Sequence, residues 1–176
     1  AFAYRNPTTL ADAIKILTEE GAAAKVIAGG QTLIPMMAFR LASPTVLVDL
    51  GRIPGLDRID VAEGGVSLGA MVRWRDIEDD ERLATAHPLL KAAISHVAHY
   101  QIRNRGTVGG SVAHADPAAE MPGIAVTCDA EISVVGKSGA HVIQAADFFQ
   151  GALTTALTPD EIIVSIRLPP WPAGRT

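Results

Sequence analysis

Two stretches of this sequence combine adjacent glycines with hydroxyl side chains. The first is Ala28-Gly29-Gly30-Gln31-Thr32; the second is Thr107-Val108-Gly109-Gly110-Ser111, reached through Ile102-Arg103-Asn104-Arg105-Gly106. Paired glycines remove the side chains that block close approach and allow backbone angles that aim successive N–H groups into one concavity, where phosphate oxygens fit. Thr32 adds a hydroxyl, and a helix start behind it adds unpaired amides and a dipole worth roughly 0.3–1 kcal/mol to an anion. Neither stretch is a Walker A loop or a Gly-x-Gly-x-x-Gly fingerprint, and a lone glycine pair more often just makes a tight turn. The repetition carries more weight than either copy, because a diphosphate has two linked anionic groups that two such loops could surround without a metal ion. Arg103 and Arg105 could soften the local potential, although charges at a helix end are commonly solvated.

Beyond the second stretch, Asp116-Pro117 reads as a helix cap followed by proline at the first helical position. Glu120 then falls one turn into the helix, where its carboxylate could accept hydrogen bonds from sugar or ribityl hydroxyls or simply be solvated. His96 and His99, three residues apart on a predicted helix beside Tyr100, have the spacing of a metal-ligand pair but lack further convincing ligands. Cys128 reads as a small core residue, and Trp74 and Trp171 as packing aromatics. No Ser-His-Asp arrangement can be argued from spacing.

These residues need elements to hold them. Thr9 caps an amphipathic helix carrying Leu10, Ala13, Ile14 and Leu17 on one face and stopped by Gly21. A buried strand at 25–28, a helix at 33–41 with Pro35 in its first turn, and a strand at 45–50 complete a strand–helix–strand unit, which implies a small parallel sheet. After Gly55 the pattern changes. A hairpin about residues 63–65, a polar helix at 76–82, an apolar one at 88–100, strands at 131–135 and 141–145 about a Gly136-Lys137-Ser138-Gly139 turn, and an alternating strand at 162–168 predict an antiparallel α+β unit. The expected fold class is α+β, with a parallel α/β subdomain at 1–57 and a larger one at 58–176.

Composition sets the bounds. The 176 residues, 48% hydrophobic and 19% charged, describe an ordinary globular chain, long enough to bury roughly two-thirds of its unfolded surface without a disulfide or metal. The net charge of −4 and pI near 5.7 argue against broad nucleic-acid or anionic-membrane binding. There is no apolar run long enough for a membrane span and no signal-peptide pattern. A single cysteine allows no internal disulfide and cannot ligate an iron–sulfur cluster, and it points to the cytoplasm.

Read together, the two glycine loops, their order and separation, the opening Phe2-Ala3-Tyr4, the run Asp116-Pro117-Ala118-Ala119-Glu120 and Pro159-Asp160-Glu161-Ile162-Ile163 resemble the FAD-binding (medium) subunits of molybdenum hydroxylases, the family of the carbon monoxide dehydrogenase medium subunit and the xanthine dehydrogenase FAD-binding subunit. The resemblance covers nearly the whole chain. It implies the two-subdomain FAD-binding fold without the family's C-terminal domain, and a noncovalent FAD that passes electrons to an external acceptor. Its diphosphate contacts would come from Ala28, Gly29, Gly30, Gln31 and Thr32 and from Thr107, Val108, Gly109, Gly110 and Ser111. Glu120 would meet a cofactor hydroxyl, and Val164 would stand on the flavin-side strand. The family often has Ser in place of Thr32, Asn or Asp in place of Ser111, and Asp in place of Glu120, changes that keep hydrogen-bonding ability. The molybdenum cofactor and the 2Fe-2S clusters are expected only on partner chains, a molybdopterin-binding large subunit and an iron–sulfur small subunit of a hetero-oligomer. With the flavin doing the redox chemistry, no catalytic side chain and no metal site are expected here. Two other readings stay open at this stage: a self-contained flavin oxidase, dehydrogenase or reductase, and a non-catalytic nucleotide-binding module.

Overall fold

The Thr9 hydroxyl accepts the Asp12 amide and starts α1 (Leu10–Glu20), which Gly21 ends by donating back to Leu17. The computed structural model describes residues 1–172. Around α1 lie β1 (Ala3–Arg5), β2 (Ala24–Ile27), α2 (Leu33–Ala38) and β3 (Val46–Asp49), with the strands parallel in the order β1-β3-β2. The strand–helix–strand unit is therefore present. The parallel strand at Ala3–Arg5 was not foreseen, since three residues are too few to show periodicity. Helix α2 stops at Ala38 rather than running to 41 because Arg40 adopts a left-handed backbone (φ 59°) and the Leu41 amide turns back to the Met36 carbonyl.

The second unit comprises β4 (Ile59–Ala62), β5 (Gly65–Gly69), α3 (Trp74–Asp79), α4 (Leu83–Ala86), α5 (Pro88–Ile94), α6 (Tyr100–Arg103), α7 (Val108–His114), α8 (Glu120–Thr127), β6 (Glu131–Gly136), β7 (Gly139–Gln144), α9 (Ala145–Phe148), β8 (Phe149–Gly151), β9 (Thr154–Thr155) and β10 (Ile162–Leu168). β4, β5, β10, β6 and β7 form an antiparallel sheet in that order, as the hairpin signals predict. The polar helix lies at 74–79 rather than 76–82, and Ala145 opens α9 instead of ending β7.

Two further expectations are corrected. No single helix spans 88–100: i→i−3 turns at His96 and Val97, a left-handed Ala98 (φ 41°) and the Arg103 guanidinium, which donates to the Val97 and Ala98 carbonyls, divert the chain between α5 and α6. Residues 96 and 99 thus do not share a helix face. Asp116 does not start a helix either. Its carboxylate accepts the Ala118 amide in a local turn, and α8 begins three residues later with Ala119 as its cap and Glu120 first.

Two apolar clusters result. The larger packs β5, β6 and β10 against the helices through Val66, Leu68, Ile132, Val134, Ile166 and Leu168. The smaller holds Ala13 and Leu17 of α1, Val46 and Val48 of β3, then Leu50, Ile53 and Leu56. β10 serves both. Ile163 and Ile166 join the larger cluster, whereas Ile162 and Val164 pack on the smaller. This is possible because the register against β6 shifts between Ile163 and Ser165, a bulge that returns the later side chains to the face of Ile163.

His87 is buried at the start of α5, where its Nδ1 accepts the Leu90 amide and its ring meets Trp171 edge-on at 5.2 Å. Burial pushes its pKa below the ordinary value of 6.5, so the unfolded chain takes up this proton more readily than the folded one. Its contribution is complete above the unfolded value and declines as pH falls below it. Lowering pH from about 7.5 to about 5.5 should reduce the urea midpoint of the wild-type chain, with a flatter profile for His87→Asn, which keeps a capping acceptor. Leu68→Ala, at a fully buried site, should cost about 3 kcal/mol in the same assay.

Candidate functional site

The first glycine loop leaves the end of β2 and enters α2. Gly30 has φ 72°, its carbonyl accepts the Ile34 amide at 3.1 Å, and the Gln31 side chain donates to the Gly29 carbonyl at 3.2 Å. The amides of residues 29–33 donate to no protein acceptor among the described residues, and Thr32 makes no side-chain cap. Five successive donors are therefore available to a ligand, which fits the chemistry read from the sequence.

The second loop is built differently. Val108 donates its amide to the Val72 carbonyl and Gly109 to the Ala70 carbonyl, both at 2.9 Å. The Gly110 amide caps onto the Thr107 hydroxyl at 3.2 Å, and Ser111 donates to the Thr107 carbonyl at 3.1 Å. Thr107, Val108 and Gly109 are buried, leaving Gly110 exposed and Ser111 half-buried. Gly109 is required by packing, since a Cβ there would lie 2.6 Å from that of Ala70. These amides anchor α7 to the end of β5 and form no second nest. What this loop offers a ligand is the bare surface at Gly110, the Ser111 hydroxyl and close approach.

The two loops meet. A Cβ on Gly29 would fall 2.0 Å from the Arg105 carbonyl oxygen and 3.0 Å from Gly106 Cα, so the backbone before the second loop lies directly on the first. Between them is a cavity of about 120 Å3 lined by Ala28, Gly29, Met71, Arg73, Asn104, Arg105 and Thr107. A groove of about 550 Å3 shares Ala28, Gly29 and Arg105 with it and continues past Gly30, Gln31, Ile34 and Pro35 to Tyr4 and Asp49. The Tyr4 hydroxyl donates to the Asp49 carboxylate, a hydrogen bond that raises the phenol's pKa with help from desolvation and the carboxylate's charge. The other Asp49 oxygen accepts the Gly51 amide at 2.7 Å.

The remaining expected residues take varied places. Val164, half-buried at the bulge, accepts the Ala70 amide at 3.0 Å; the Ala70 carbonyl in turn receives Gly109, which ties the last strand to the second loop. Glu120 is half-buried at the first position of α8 and, like Val164, lines neither cavity. Arg103 pairs with Glu78 at 3.3 Å and is a structural residue, whereas Arg105 is exposed and has no ion pair among the described residues. Trp74 is buried in the larger cluster, and half-buried Cys128 packs against that cluster; desolvation, then Asp129, raises the thiol pKa. No group of three or more His, Cys, Asp or Glu side chains able to hold a metal is present among the described residues. Asp49 and Arg73 were missed by sequence reasoning, because each reaches the site only through the fold. Tyr4 entered only as part of the resemblance.

Residues 1–171 match the family described as the FAD binding domain in molybdopterin dehydrogenase. The chain belongs to that family. It is 42% identical over 175 residues to the nicotine 6-hydroxylase medium subunit of Paenarthrobacter nicotinovorans, covering 99% of this chain and 61% of that protein. The solved structure of reconstituted CO dehydrogenase from Oligotropha carboxidovorans is similar with a TM-score of 0.96 at 38% identity, covering 99% of this chain and 61% of that one. Quinoline 2-oxidoreductase from Pseudomonas putida 86 gives 0.94 at 41% identity, with 98% and 60% covered. This chain thus spans about 60% of the length of these members of the family.

Gly29→Ala must displace the Arg105 backbone and Gly109→Ala must displace Ala70. Both variants should lose about 1–3 kcal/mol of stability in denaturant unfolding without any ligand.

Proposed function

We propose that this chain binds FAD noncovalently and serves as the electron-transfer flavin component of a molybdenum hydroxylase. The observation that carries the reading is the run of amides at 29–33 without acceptors among the described residues, set against the second loop in a chain of this family. Residues 28–32 would cradle the diphosphate from one side. Thr107, Gly110 and Ser111 would close over it from the other, with Val108 and Gly109 holding that loop in place. The bound flavin supplies the redox chemistry, accepting electrons and releasing them to an acceptor. The protein's share is binding and orientation. Glu120 as a partner of cofactor hydroxyls and Val164 as the flavin-side strand position belong to this proposal. So does the division of the chain into subdomains 1–57 and 58–176, which would hold the cofactor between them.

The relatives' names supply the wider context: they are medium subunits or medium chains of a nicotine hydroxylase and of carbon monoxide dehydrogenase. On that basis the molybdenum cofactor and 2Fe-2S clusters belong to a large and a small partner subunit in a hetero-oligomer. The chain's single cysteine cannot ligate a cluster. No helix among the described residues is long and apolar enough to cross a membrane, and the setting proposed is the cytoplasm.

The test is an absorption spectrum of the full-length protein with and without FAD, followed by denaturation. Flavin that is bound and then released on unfolding is the expected outcome; retained, covalent flavin or no binding would sink the proposal. Gly110→Val should weaken FAD binding about tenfold or more by fluorescence titration; it should also lower the ligand-free melting temperature, because the added Cβ would lie 2.9 Å from the Thr107 hydroxyl that caps α7, so binding is compared at a temperature where melts show the variant folded.

A further inference from the structure

Two arginines line the small cavity between the loops, Arg73 after the end of β5 and Arg105 ahead of Thr107. Neither guanidinium pairs with a carboxylate among the described residues, whereas nearby Arg75, Arg82 and Arg103 are held by Asp79, Asp80 and Glu78. Arg105 also lines the larger groove, so it borders both spaces. The small cavity has about 120 Å3, roughly the share of four waters in the liquid. That is well below the ~300 Å3 at which ordinary ligand pockets begin, and it suits a small anionic group rather than a ring system. Of the unpaired amide run, Gly29 borders this cavity, and Gly30 and Gln31 border the larger groove that Arg105 shares. The small cavity's Thr107 side has no such amides to offer, since Val108 and Gly109 donate theirs to Val72 and Ala70. A diphosphate held between the loops would meet free amides on one side and, on the other, only the bare surface at Gly110 and the Ser111 hydroxyl, with no charge to balance its own unless the arginines act.

We infer that Arg73 and Arg105 form the second wall of the diphosphate site, taking the place of the amides that the second loop uses for its own anchoring. This rests on the FAD reading above. A guanidinium presents a planar fork of donors that matches phosphoryl oxygens, and its charge is permanent. Two of them against the amide run neutralise two linked phosphoryl groups without a metal ion or a lysine. In a chain of net charge −4, they also reverse the potential where the anion must enter.

The test is FAD titration of the full-length chain by flavin fluorescence at about 50 and about 500 mM salt, for wild type, Arg73→Gln, Arg105→Gln, Arg105→Lys and the control Arg75→Gln, with circular dichroism melts to show that each is folded. The expected result is a roughly tenfold to hundredfold loss of affinity in each glutamine variant at low salt, the size of a lost charge-assisted hydrogen bond. The salt dependence should flatten in both, recover in part in Arg105→Lys and stay unchanged in Arg75→Gln. Wild-type affinity and salt dependence in folded Arg73→Gln and Arg105→Gln would overturn the inference and leave the FAD reading standing. Failure of the wild-type chain to bind FAD at either salt concentration would overturn both.

Discussion

Between Ile163 and Ser165 one extra residue is accommodated in β10, and on that bulge a single strand comes to serve two cores. In a regular strand, side chains two apart face the same way, so Ile162, Val164 and Ile166 would share a face. Instead Ile162 and Val164 pack on the cluster around α1 and the parallel sheet, while Ile163, Ile166 and Leu168 close the antiparallel sheet's cluster. On the other edge of β10 the Val164 carbonyl at the bulge accepts Ala70, and Ala70 passes the link to Gly109. The relative placement of the two glycine loops therefore depends on a register shift far from either of them in sequence.

The loops look alike as sequences and differ in what their amides do. In the first, a left-handed Gly30 turns the backbone so that residues 29–33 keep their donors free. In the second, comparable glycines let a short helix seat itself against the end of β5, and hydrogen-bonding capacity goes into that seating. A packed buttress and an open cradle make a firmer pair than two open loops would, because the cradle is held against something that does not move independently of the sheet. The direct approach of Gly29 to the Arg105 backbone is where the two meet.

Much of this was legible in the residues. The capped helix at Leu10, the strand–helix–strand opening, the β6–β7 turn and the two glycine loops carry strong local signals, and each is present. What could not be read depends on distant partners. The break between α5 and α6 reflects Arg103 holding the carbonyls of Val97 and Ala98, an interaction invisible to helix periodicity. The β10 alternation was visible, but its bulge was not, since only the competing demands of two clusters call for it. At the site, glycine pairs announced close backbone approach without saying whether the neighbour is a ligand or Ala70. Arg73 and Asp49 lie in unremarkable local contexts and gain their meaning from the fold.

The strand that joins both clusters is the last of the chain's described elements to be synthesised. As the polypeptide leaves the ribosome, the parallel sheet with α1 can form early, since its strands all lie before residue 50. Its cluster still lacks Ile162, and β5 and β6 remain unjoined until β10 arrives to lie between them. Such long-range pairing is slow because loop closure is costly, and it leaves strand edges uncovered in the meantime. Ala70 waits for the Val164 carbonyl over the same interval. The arrangement that gives the folded protein a shared, rigid seam thus makes the nascent chain dependent on β10, and the interval before that strand arrives is when a holding chaperone would have most to protect.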